Sequence, residues 1–342
     1  MVELNGKKIL VTFLMHLGDL TLTTPFIHAL RKAAPDARIT MLVDEKLKDV
    51  VLFNPYLDEV VTIDKKGRDN SILSLWACSR HLSKLDFDVL INLHPNERCS
   101  FIDAMTSVKL RTGTTHKIFK WFWDVFTPLD RSMHAADMYL DVLQQLGVQD
   151  LSNNGLEIFP GEEHFLEAEL FWQEQNITDQ DKLIGFNIGS AVPTKRWPPE
   201  RFAEVADIFA AKGYKTVFFG GPMDEEMVAE ATGYMQTRPI IATGHFAIGG
   251  LAAAMRRCCL IITNDSGPMH VAISQKVPIV AMYGPSNPKL YGPYTKDAVI
   301  VTAQPPCQGC ADGMKHSCDD LQCMSRMTVE QVVAAADTML NK

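Results

Sequence analysis

The chain carries, at residues 264–285, the stretch NDSGPMHVAISQKVPIVAMYGP, which joins two apolar runs through a polar turn. Pro268 suits the first turn of a helix, where its missing N–H is not needed. The order strand, turn, helix, strand predicts a βαβ unit. Its turn would present backbone N–H groups, Asp265, Ser266 and His270 at a helix N-terminus, which attracts phosphate. The alternative is an ordinary βαβ unit whose helix is capped by Asp or Ser.

The same alternation of apolar strands and amphipathic helices extends from this stretch in both directions. It predicts parallel sheets with helices on both faces. A polar, irregular stretch at 148–165 separates two such patterns. We therefore predict an α/β protein with two Rossmann-like doubly wound domains, residues 1–160 and 161–327, that face a central cleft. A last helix, with Thr328 as its N-cap, is expected within 328–342.

The bulk composition excludes several classes of protein. The chain has 342 residues, 46% of them hydrophobic, and a net charge of −8, which is ordinary for a globular protein and disfavours nucleic acid as a partner. No apolar run approaches the roughly 18 residues that a membrane-spanning helix needs. The N-terminus lacks a signal-peptide pattern. The expected location is therefore cytoplasmic.

The first predicted strand is followed by the turn His16-Leu17-Gly18-Asp19. Gly18 allows a tight turn or a close approach to a ligand. Asp19 would stand at the mouth of the predicted cleft, where a carboxylate can accept a proton from a hydroxyl nucleophile. The alternative is that Asp19 only caps the helix. The GxGxxG fingerprint of dinucleotide-binding proteins is absent.

Two further turns follow predicted strands of the second domain. GSAVPTKRWP, residues 189–198, places a hydroxyl and two cations before a helix, which suits a diphosphate leaving group; the alternative is a solvated basic loop. GGPMDE, residues 220–225, leaves space for a flat base and offers a carboxylate to ribose hydroxyls. The alternative there is a glycine-rich turn capped by Asp224.

Four of the eight cysteines crowd into 17 residues near the C-terminus: Cys307, Cys310, Cys318 and Cys323. Their spacing could hold a structural zinc or iron ion, and the alternative is a loop of free or partly oxidised thiols. The other four lie in apolar patterns and are expected to be buried. The DxD triplet at 86–88 is interpreted as the entry to a strand and not as a metal site.

Taken together, these motifs resemble glycosyltransferase family 9, the ADP-heptose:lipopolysaccharide heptosyltransferases. LGDLTLTTPFIHALR near the N-terminus, NIGSAVPTKRWP, GGP and NDSGPMHVAISQKVPIVAMYGPSNP occur in the family's order and cover nearly the whole chain. The resemblance implies a GT-B fold and inverting transfer of a heptose from ADP-heptose, without an essential metal. It departs at His16, at Ser266, where Thr is commoner, and at 114–131, which shows no clear family pattern.

The resemblance also assigns residues to roles. Asp19 aligns with the family's proposed general base. Arg98 matches an Arg that commonly follows a strand of the first domain, and we assign it with Lys120 to the acceptor. Thr194 and Lys195 align with diphosphate contacts. The predicted donor-binding set is Gly18, Ser190, Thr194, Lys195, Gly221, Asp224, Asp265, Ser266, Gly267, Met269 and His270.

The acceptor implied by the resemblance is a lipid-linked oligosaccharide, the inner core of lipopolysaccharide. The protein would then lie peripherally at the inner face of the cytoplasmic membrane. Contact is expected through the exposed cations Lys65, Lys66, Arg68, Lys117 and Lys120. The last helix, 328–342, is expected to pack back on the first domain.

Two alternatives belong to other classes. One is a GT-B enzyme, a transferase or an epimerase, that uses a different sugar nucleotide or acceptor. The other is a non-catalytic member that binds nucleotide, or metal through the late cysteines. A Ser-His-Asp hydrolase is disfavoured because Ser266, His270 and Asp265 lie within one turn and helix start, and the chain has no GxSxG elbow.

Overall fold

The computed structural model describes residues 2–303, 318 and 321–342. The chain forms two compact units, Met1–Phe159 and Pro160–Lys342; the boundary predicted from the sequence lies at residue 160. Within the described ranges, no helix is both long enough and apolar enough to cross a membrane.

The first unit is built on a six-stranded parallel sheet. Its strands are β1 (Lys8–Thr12), β2 (Arg38–Asp44), β3 (Glu59–Ile63), β4 (Phe87–Asn92), β5 (Val108–Gly113) and β6 (Val125–Phe126). Its helices are α1 (Leu17–Thr21), α2 (Thr24–Ala33), α3 (Ile72–Ser83), α4 (Glu97–Met105) and α5 (Ala135–Gln145). The strand order is β3-β2-β1-β4-β5-β6, so β1 and β4 lie side by side where the order reverses.

Helices α3 and α4 pack together on the first sheet, and α2 packs with α5. Leu75 and Leu82 of α3 join Cys99 and Ile102 of α4 in one apolar cluster with strand residues such as Leu90. The buried positions of α3 recur at helical spacing, which explains why this helix forms against the sheet.

The second unit repeats this plan. Its strands are β7 (Leu183–Asn187), β8 (Lys215–Phe219), β9 (Ile240–Ile241), β10 (Cys258–Asn264), β11 (Ile279–Met282) and β12 (Ala298–Val301). Its helices are α6 (Glu162–Glu174), α7 (Pro199–Ala211), α8 (Glu225–Tyr234), α9 (Ile248–Met255), α10 (Gly267–Ser274), α11 (Pro288–Tyr291), α12 (Gln322–Ser325) and α13 (Val329–Leu340). The order β12-β11-β10-β7-β8-β9 places β7 beside β10.

Both sheets therefore have the doubly wound strand order of Rossmann-like domains. All strand pairs are parallel, and β1 and β7 each pair with neighbours on both sides. The α/β class with two doubly wound sheets predicted from the sequence is confirmed. Ligands of such sheets bind at the carboxyl ends of the strands where the order reverses.

The last helix corrects one prediction. The sequence analysis expected it to pack on the first domain, but α13 lies against α7, β10, β11 and β12, with Val332 and Ala336 fully buried in the second core. Trp197 Nε1 donates to the Met327 carbonyl at 3.1 Å. The apolar face of α13 is thus buried within the second unit. Thr328 caps the helix as predicted, since its side chain accepts from the Gln331 N–H.

Candidate functional site

The candidate donor site lies at the carboxyl edge of the second sheet. The loops after β7, β8 and β10, together with the start of α10, reach this edge and carry every predicted donor residue except Gly18, which lies in the first unit. They hold Ser190, Thr194 and Lys195 after β7, Gly221 and Asp224 after β8, and Asp265, Ser266, Gly267, Met269 and His270 after β10. The predicted set thus shares the edge where doubly wound sheets bind ligands.

A buried ion pair joins the loops after β7 and β10. Lys195 Nζ lies 2.8 Å from Asp265 Oδ2, with side chains 13% and 7% exposed, and the Ser286 hydroxyl donates to the same Oδ2. The 3₁₀ turn Pro193–Lys195 buries Thr194 beside this lysine. Because water screens such a pair little, the ammonium group is held at a fixed place on the edge.

Tyr283 adds a neutral donor next to this carboxylate. Burial, and secondly the charge of Asp265, raise the pKa of the Tyr283 hydroxyl well above its ordinary range. The hydroxyl donates to the Tyr291 carbonyl at 2.8 Å. Tyr283 therefore stays protonated at any physiological pH and remains a hydrogen-bond donor.

The N-terminus of α10 opens onto the same edge. Ser266 precedes α10, but its side chain does not cap the helix; its Oγ accepts instead from Asn187 Nδ2 at 2.9 Å. Met269 and His270 are buried in the first turns. The positive end of the helix dipole thus lies beside Lys195, an arrangement that favours a bound anion.

Asn264 connects the two motifs that the sequence analysis treated separately. Its Oδ1 accepts from the Trp197 N–H at 3.1 Å, and its Nδ2 donates to the Ile188 carbonyl at 2.6 Å. Within the loop, Arg196 Nε donates to the Ser190 carbonyl at 2.8 Å. The loop after β7 is therefore fastened to the end of β10. Sequence reasoning did not assign this role, although Asn264 opens the quoted motif.

The loop after β8 meets the loop after β7 through glycines. Asp224 Oδ2 accepts from the Gly221 N–H at 2.9 Å. Asp224 also takes the N-cap position of α8, where its side chain makes no capping hydrogen bond. A Cβ at Gly189 would overlap the Asp224 carboxylate, so only glycine allows this close approach. The carboxylate thus lies against both loops and remains half-exposed.

In the first unit, the predicted base lies at the corresponding edge. Gly18 and Asp19 belong to α1, directly after β1, and both are half-buried. His16 takes the N-cap position without a capping hydrogen bond from its side chain. Asp19 therefore stands in the first turn of α1, beside the place where the strand order reverses.

His94 is a functional candidate that sequence reasoning missed. It follows β4 and its ring lies edge-on to Phe13, with centroids 6.1 Å apart. Within the described residues its buried Nδ1 has no hydrogen-bond partner. Burial, then the charges of Arg131 and His16, lower the pKa of His94 to about 4. The ring is neutral at physiological pH, so it can both donate a hydrogen bond to a hydroxyl group and accept one from it. Its place two residues after a strand end was the available signal.

A pocket of about 480 Å³ adjoins these residues. It is lined by Leu14, Lys65, Lys66, Pro95, Asn96, Glu97 and Arg98. Arg98 reaches across it, since its guanidinium donates to the Lys65 carbonyl and to Asn70 Oδ1. Lys120 lies outside this lining, with its Nζ 4.2 Å from the centroid of the Phe126 ring.

Lys65 is not the exposed cation that the sequence analysis expected. Its Nζ donates to the carbonyls of Leu14 and Met15, each at 2.9 Å, and lies 3.1 Å from Asp44 Oδ2. Carbonyls just beyond the end of β1 find no partner in the sheet, so the buried ammonium satisfies them. Its role is to order the loop between β1 and α1.

A fully buried carboxyl group lies beneath this edge. Asp103 Oδ2 accepts from Thr12 Oγ1 at 2.9 Å and from Asn92 Nδ2 at 2.6 Å. Its Oδ1 has no partner among the described residues. Burial outweighs these hydrogen bonds and raises the pKa of Asp103 to about 8. The group is therefore largely protonated at neutral pH and cannot act as a charged ligand.

The late cysteines remain a prediction. Cys307 and Cys310 lie outside the described residues. Cys318 is half-buried and Cys323 lies in the second core. Among the residues that are described, no group of three or more His, Cys, Asp or Glu is placed to hold a metal ion.

Two consecutive doubly wound sheets, each with polar loops at the carboxyl edge, are the arrangement of the GT-B fold, which solved heptosyltransferase structures share. A family model for glycosyltransferase family 9 (heptosyltransferase) matches residues 75–318. The chain belongs to glycosyltransferase family 9, and it is a glycosyltransferase.

Known proteins agree with this assignment. The chain is similar to a crystal structure of a family 9 glycosyltransferase from Veillonella parvula, with 53% identity, a TM-score of 0.95 and 99% of each chain covered. It is 24% identical to lipopolysaccharide heptosyltransferase 3 of Escherichia coli, over 94% of this chain and 95% of the relative. The E. coli heptosyltransferase WaaC with ADP shares the fold, with a TM-score of 0.73, 16% identity, and 97% and 99% of the chains covered.

Proposed function

We propose that this protein transfers a heptose from ADP-heptose to a hydroxyl of the lipopolysaccharide inner core, with inversion and without an essential metal. The observation that carries the proposal is the Lys195–Asp265 pair, fixed 2.8 Å apart beside the N-terminus of α10. A cation and a helix N-terminus at one edge suit a diphosphate. The heptosyltransferase relatives, one of them with ADP, support the choice of donor.

The second unit would stabilise the leaving group. As the bond from the anomeric carbon to the phosphate oxygen breaks, negative charge grows on ADP. Lys195, the Thr194 hydroxyl and the first N–H groups of α10 would meet this charge, and they need little reorganisation because they are already fixed. The loop 220–224 would hold the nucleoside, with Asp224 towards the ribose.

The first unit would supply the base, from the helix that follows β1. Asp19 takes the proton of the acceptor hydroxyl while the oxygen of that hydroxyl attacks the anomeric carbon from the face opposite ADP. Arg98, in the pocket after β4, would hold an anionic group of the acceptor. Such an acceptor is lipid-linked, so the protein would act peripherally at the inner face of the cytoplasmic membrane.

Replacing Asp19 tests the assignment of the base. Asp19→Asn keeps the shape of the side chain but cannot take a proton, so turnover should fall by about 10²- to 10⁴-fold while ADP affinity is retained. The matched control is Asp86→Asn, an exposed residue with φ of 53° that Asn tolerates. Full activity of Asp19→Asn on the lipopolysaccharide acceptor would contradict the assignment.

The lysine is tested with Asp265 already neutralised, so that removing the ammonium group does not leave a buried carboxylate unpaired. Asp265→Asn retains Lys195, and the double variant Lys195→Ala/Asp265→Asn removes both charges. Adding Lys195→Ala to Asp265→Asn should weaken ADP binding in calorimetry by roughly 10- to 100-fold, the value of a charged hydrogen bond. Lys296→Ala, exposed on the same unit, should leave ADP affinity unchanged. Equal affinities of the single and double variants would exclude Lys195 as a phosphate contact.

A further inference from the structure

The outer face of α3 is unusually apolar for a surface helix. Ile72, Leu73 and Trp76 are 73%, 78% and 52% exposed, while the opposite face supplies Leu75 and Leu82 to the core. Exposed and buried apolar positions therefore lie on different sides of one helix. The core does not need the exposed three, and contiguous exposed apolar groups usually mark a binding surface.

The 3₁₀ helix Lys117–Phe122 shows the same division. Its Phe119 packs on Phe101 of α4, with ring centroids 6.3 Å apart. Ile118 and Trp121, three residues apart and hence on one side of a 3₁₀ helix, point outwards, and Trp121 is 87% exposed. An inward aromatic side chain already anchors this segment, so the outward ones are available to a partner.

Helix α4 joins these two surfaces. On one side, Arg98 donates to Asn70 Oδ1 in the loop that leads into α3. On the other side, Ser100 Oγ accepts from the His116 N–H at 2.9 Å, directly before the 3₁₀ helix. Both exposed groups thus belong to segments that pack on α4, the helix that carries Arg98. We call Ile72, Leu73, Trp76, Ile118, Trp121 and Phe122 the apolar rim.

The charge around the apolar rim is opposite to that of the whole chain. Residues 66–80 and 116–122 hold five Lys and Arg side chains against a single acid, Asp69, whereas the chain has a net charge of −8. Arg80 lies over the Trp76 ring, 5.9 Å from its centroid. Arg68 is paired with Glu45 and Asp69, and Glu97, beside His116 at 3.9 Å, is a neighbouring acid. Lys66, Lys117 and Lys120 are exposed and make no ion pair among the described residues.

We propose that the apolar rim is the surface by which this protein docks on an anionic lipid bilayer, an inference that rests on the proposed function for its lipid-linked acceptor. Exposed tryptophans among lysines are suited to the interface, where their rings lie at the level of the headgroups. Each lysine near an anionic surface strengthens membrane binding by roughly 5-fold. Docking this way would place the Arg98 pocket at the membrane, where the headgroup of the acceptor lies.

The test is sedimentation of the full chain with vesicles. The protein should bind vesicles of phosphatidylcholine that contain roughly 30–40% phosphatidylglycerol. It should bind much less to vesicles of phosphatidylcholine alone, and much less to the anionic vesicles in high salt. The triple variant Leu73→Ser/Trp76→Ser/Trp121→Ser should lose at least about 10-fold in vesicle affinity, since it removes most of the apolar area that enters the interface. The matched control is Leu166→Ser/Leu170→Ser/Tyr234→Ser, three exposed apolar residues of the second unit, which should bind like the unmodified protein.

Two results would overturn the inference. One is unchanged vesicle binding by the triple variant when its circular dichroism and unfolding midpoint match those of the unmodified protein. The other is a change of oligomeric state, seen by mass photometry, without a change in vesicle binding, because a second copy of the chain would then cover the apolar rim. Lys117→Glu/Lys120→Glu, which keeps the apolar rim, should lower affinity for anionic vesicles only.

A lipid-free acceptor separates this inference from the proposed function. The triple variant should transfer sugar to a deacylated, soluble acceptor as fast as the unmodified protein, and should be impaired only on the acceptor in vesicles. A protein that binds vesicles through the apolar rim but transfers no sugar would contradict the proposed function and support the surface. If a variant with an altered apolar rim transfers sugar equally fast to the soluble acceptor and to the acceptor in vesicles, the apolar rim is not the docking surface.

Discussion

Asp103 shows how burial sets the charge of a single residue beneath the candidate site. The carboxyl group lies among Thr12, Asn92 and Cys99. Among the described residues no cation forms an ion pair with it, and the charge of Arg111 acts only from a distance. Burial raises its pKa to about 8, from an ordinary value of 3.8. In the unfolded chain the group ionises freely, so folding at neutral pH requires it to take up a proton.

This uptake predicts a pH-dependent stability. A raised folded-state pKa gives stability that is fully present below about pH 4 and is lost as the pH rises through about 8. Asp103→Asn mimics the protonated group and removes the dependence. In urea titrations, the unmodified protein should therefore lose stability relative to Asp103→Asn by up to about 1.4 kcal/mol per pH unit across this window. Parallel profiles would show that Asp103 is ionised in the folded protein.

The residues that the sequence identified are those whose position follows from strand ends. Lys195, Asp265 and Ser266 converge because parallel strands end at one edge, which periodicity alone can predict. Asn264 was missed because its role depends on partners in another loop. His94 was missed because the sequence does not show its burial beside Phe13, which keeps the ring neutral. The prediction that Lys65 is exposed was wrong, because a run of charged residues does not reveal that one of them binds the carbonyls just beyond the end of β1.

At the scale of elements, the clear periodicities gave close bounds. The helix expected within 328–342, with Thr328 as its N-cap, is α13, Val329–Leu340. Helix α4 was not predicted because its buried positions include Ser100 and Asp103, so no apolar stripe marks it. The last helix was predicted from the apolar residues along one of its faces. Such a pattern shows only that the face is buried and not which domain covers it.

The packing of the C-terminal segment on the second unit can be tested at Gly284. A Cβ there would overlap Met324 and lie 3.1 Å from Cys323 Sγ. Gly284→Ala should therefore lower the free energy of unfolding by about 1–3 kcal/mol through overpacking. Gly233→Ala, in α8 with nothing within 4 Å of the added atom, should be neutral or stabilising.

A double-mutant cycle makes the cause of this loss specific. Met324→Ala removes the side chain that the new methyl group would meet. The cost of Gly284→Ala should therefore shrink when it is introduced into Met324→Ala, and the two changes should not add. If the two losses in the free energy of unfolding simply add in urea titrations, the cost of Gly284→Ala does not come from contact with Met324.

At the scale of the whole molecule, one architecture serves two different tasks. Both sheets have the same strand order, yet the second edge presents a buried lysine and a helix N-terminus while the first presents Asp19, His94 and Arg98. The edges are chemically complementary: one suits an anionic donor, the other a nucleophilic hydroxyl. The fold predicts where ligands bind, but only the loop residues distinguish donor from acceptor.

The choice of donor is therefore tested on the intact protein. ADP at about 100 times its dissociation constant should stabilise the folded state by about 2.7 kcal/mol, which corresponds to a rise in Tm of roughly 5–11 °C for a two-state unit of this size. UDP at the same concentration should give a smaller shift, and EDTA should change neither, because the proposed phosphate contacts are a lysine and backbone N–H groups. The Lys195→Ala/Asp265→Asn variant should lose most of the ADP shift. An equal or larger shift with UDP would instead favour a GT-B enzyme that uses another sugar nucleotide, and loss of the shift in EDTA would show that a metal ion takes part in binding the diphosphate.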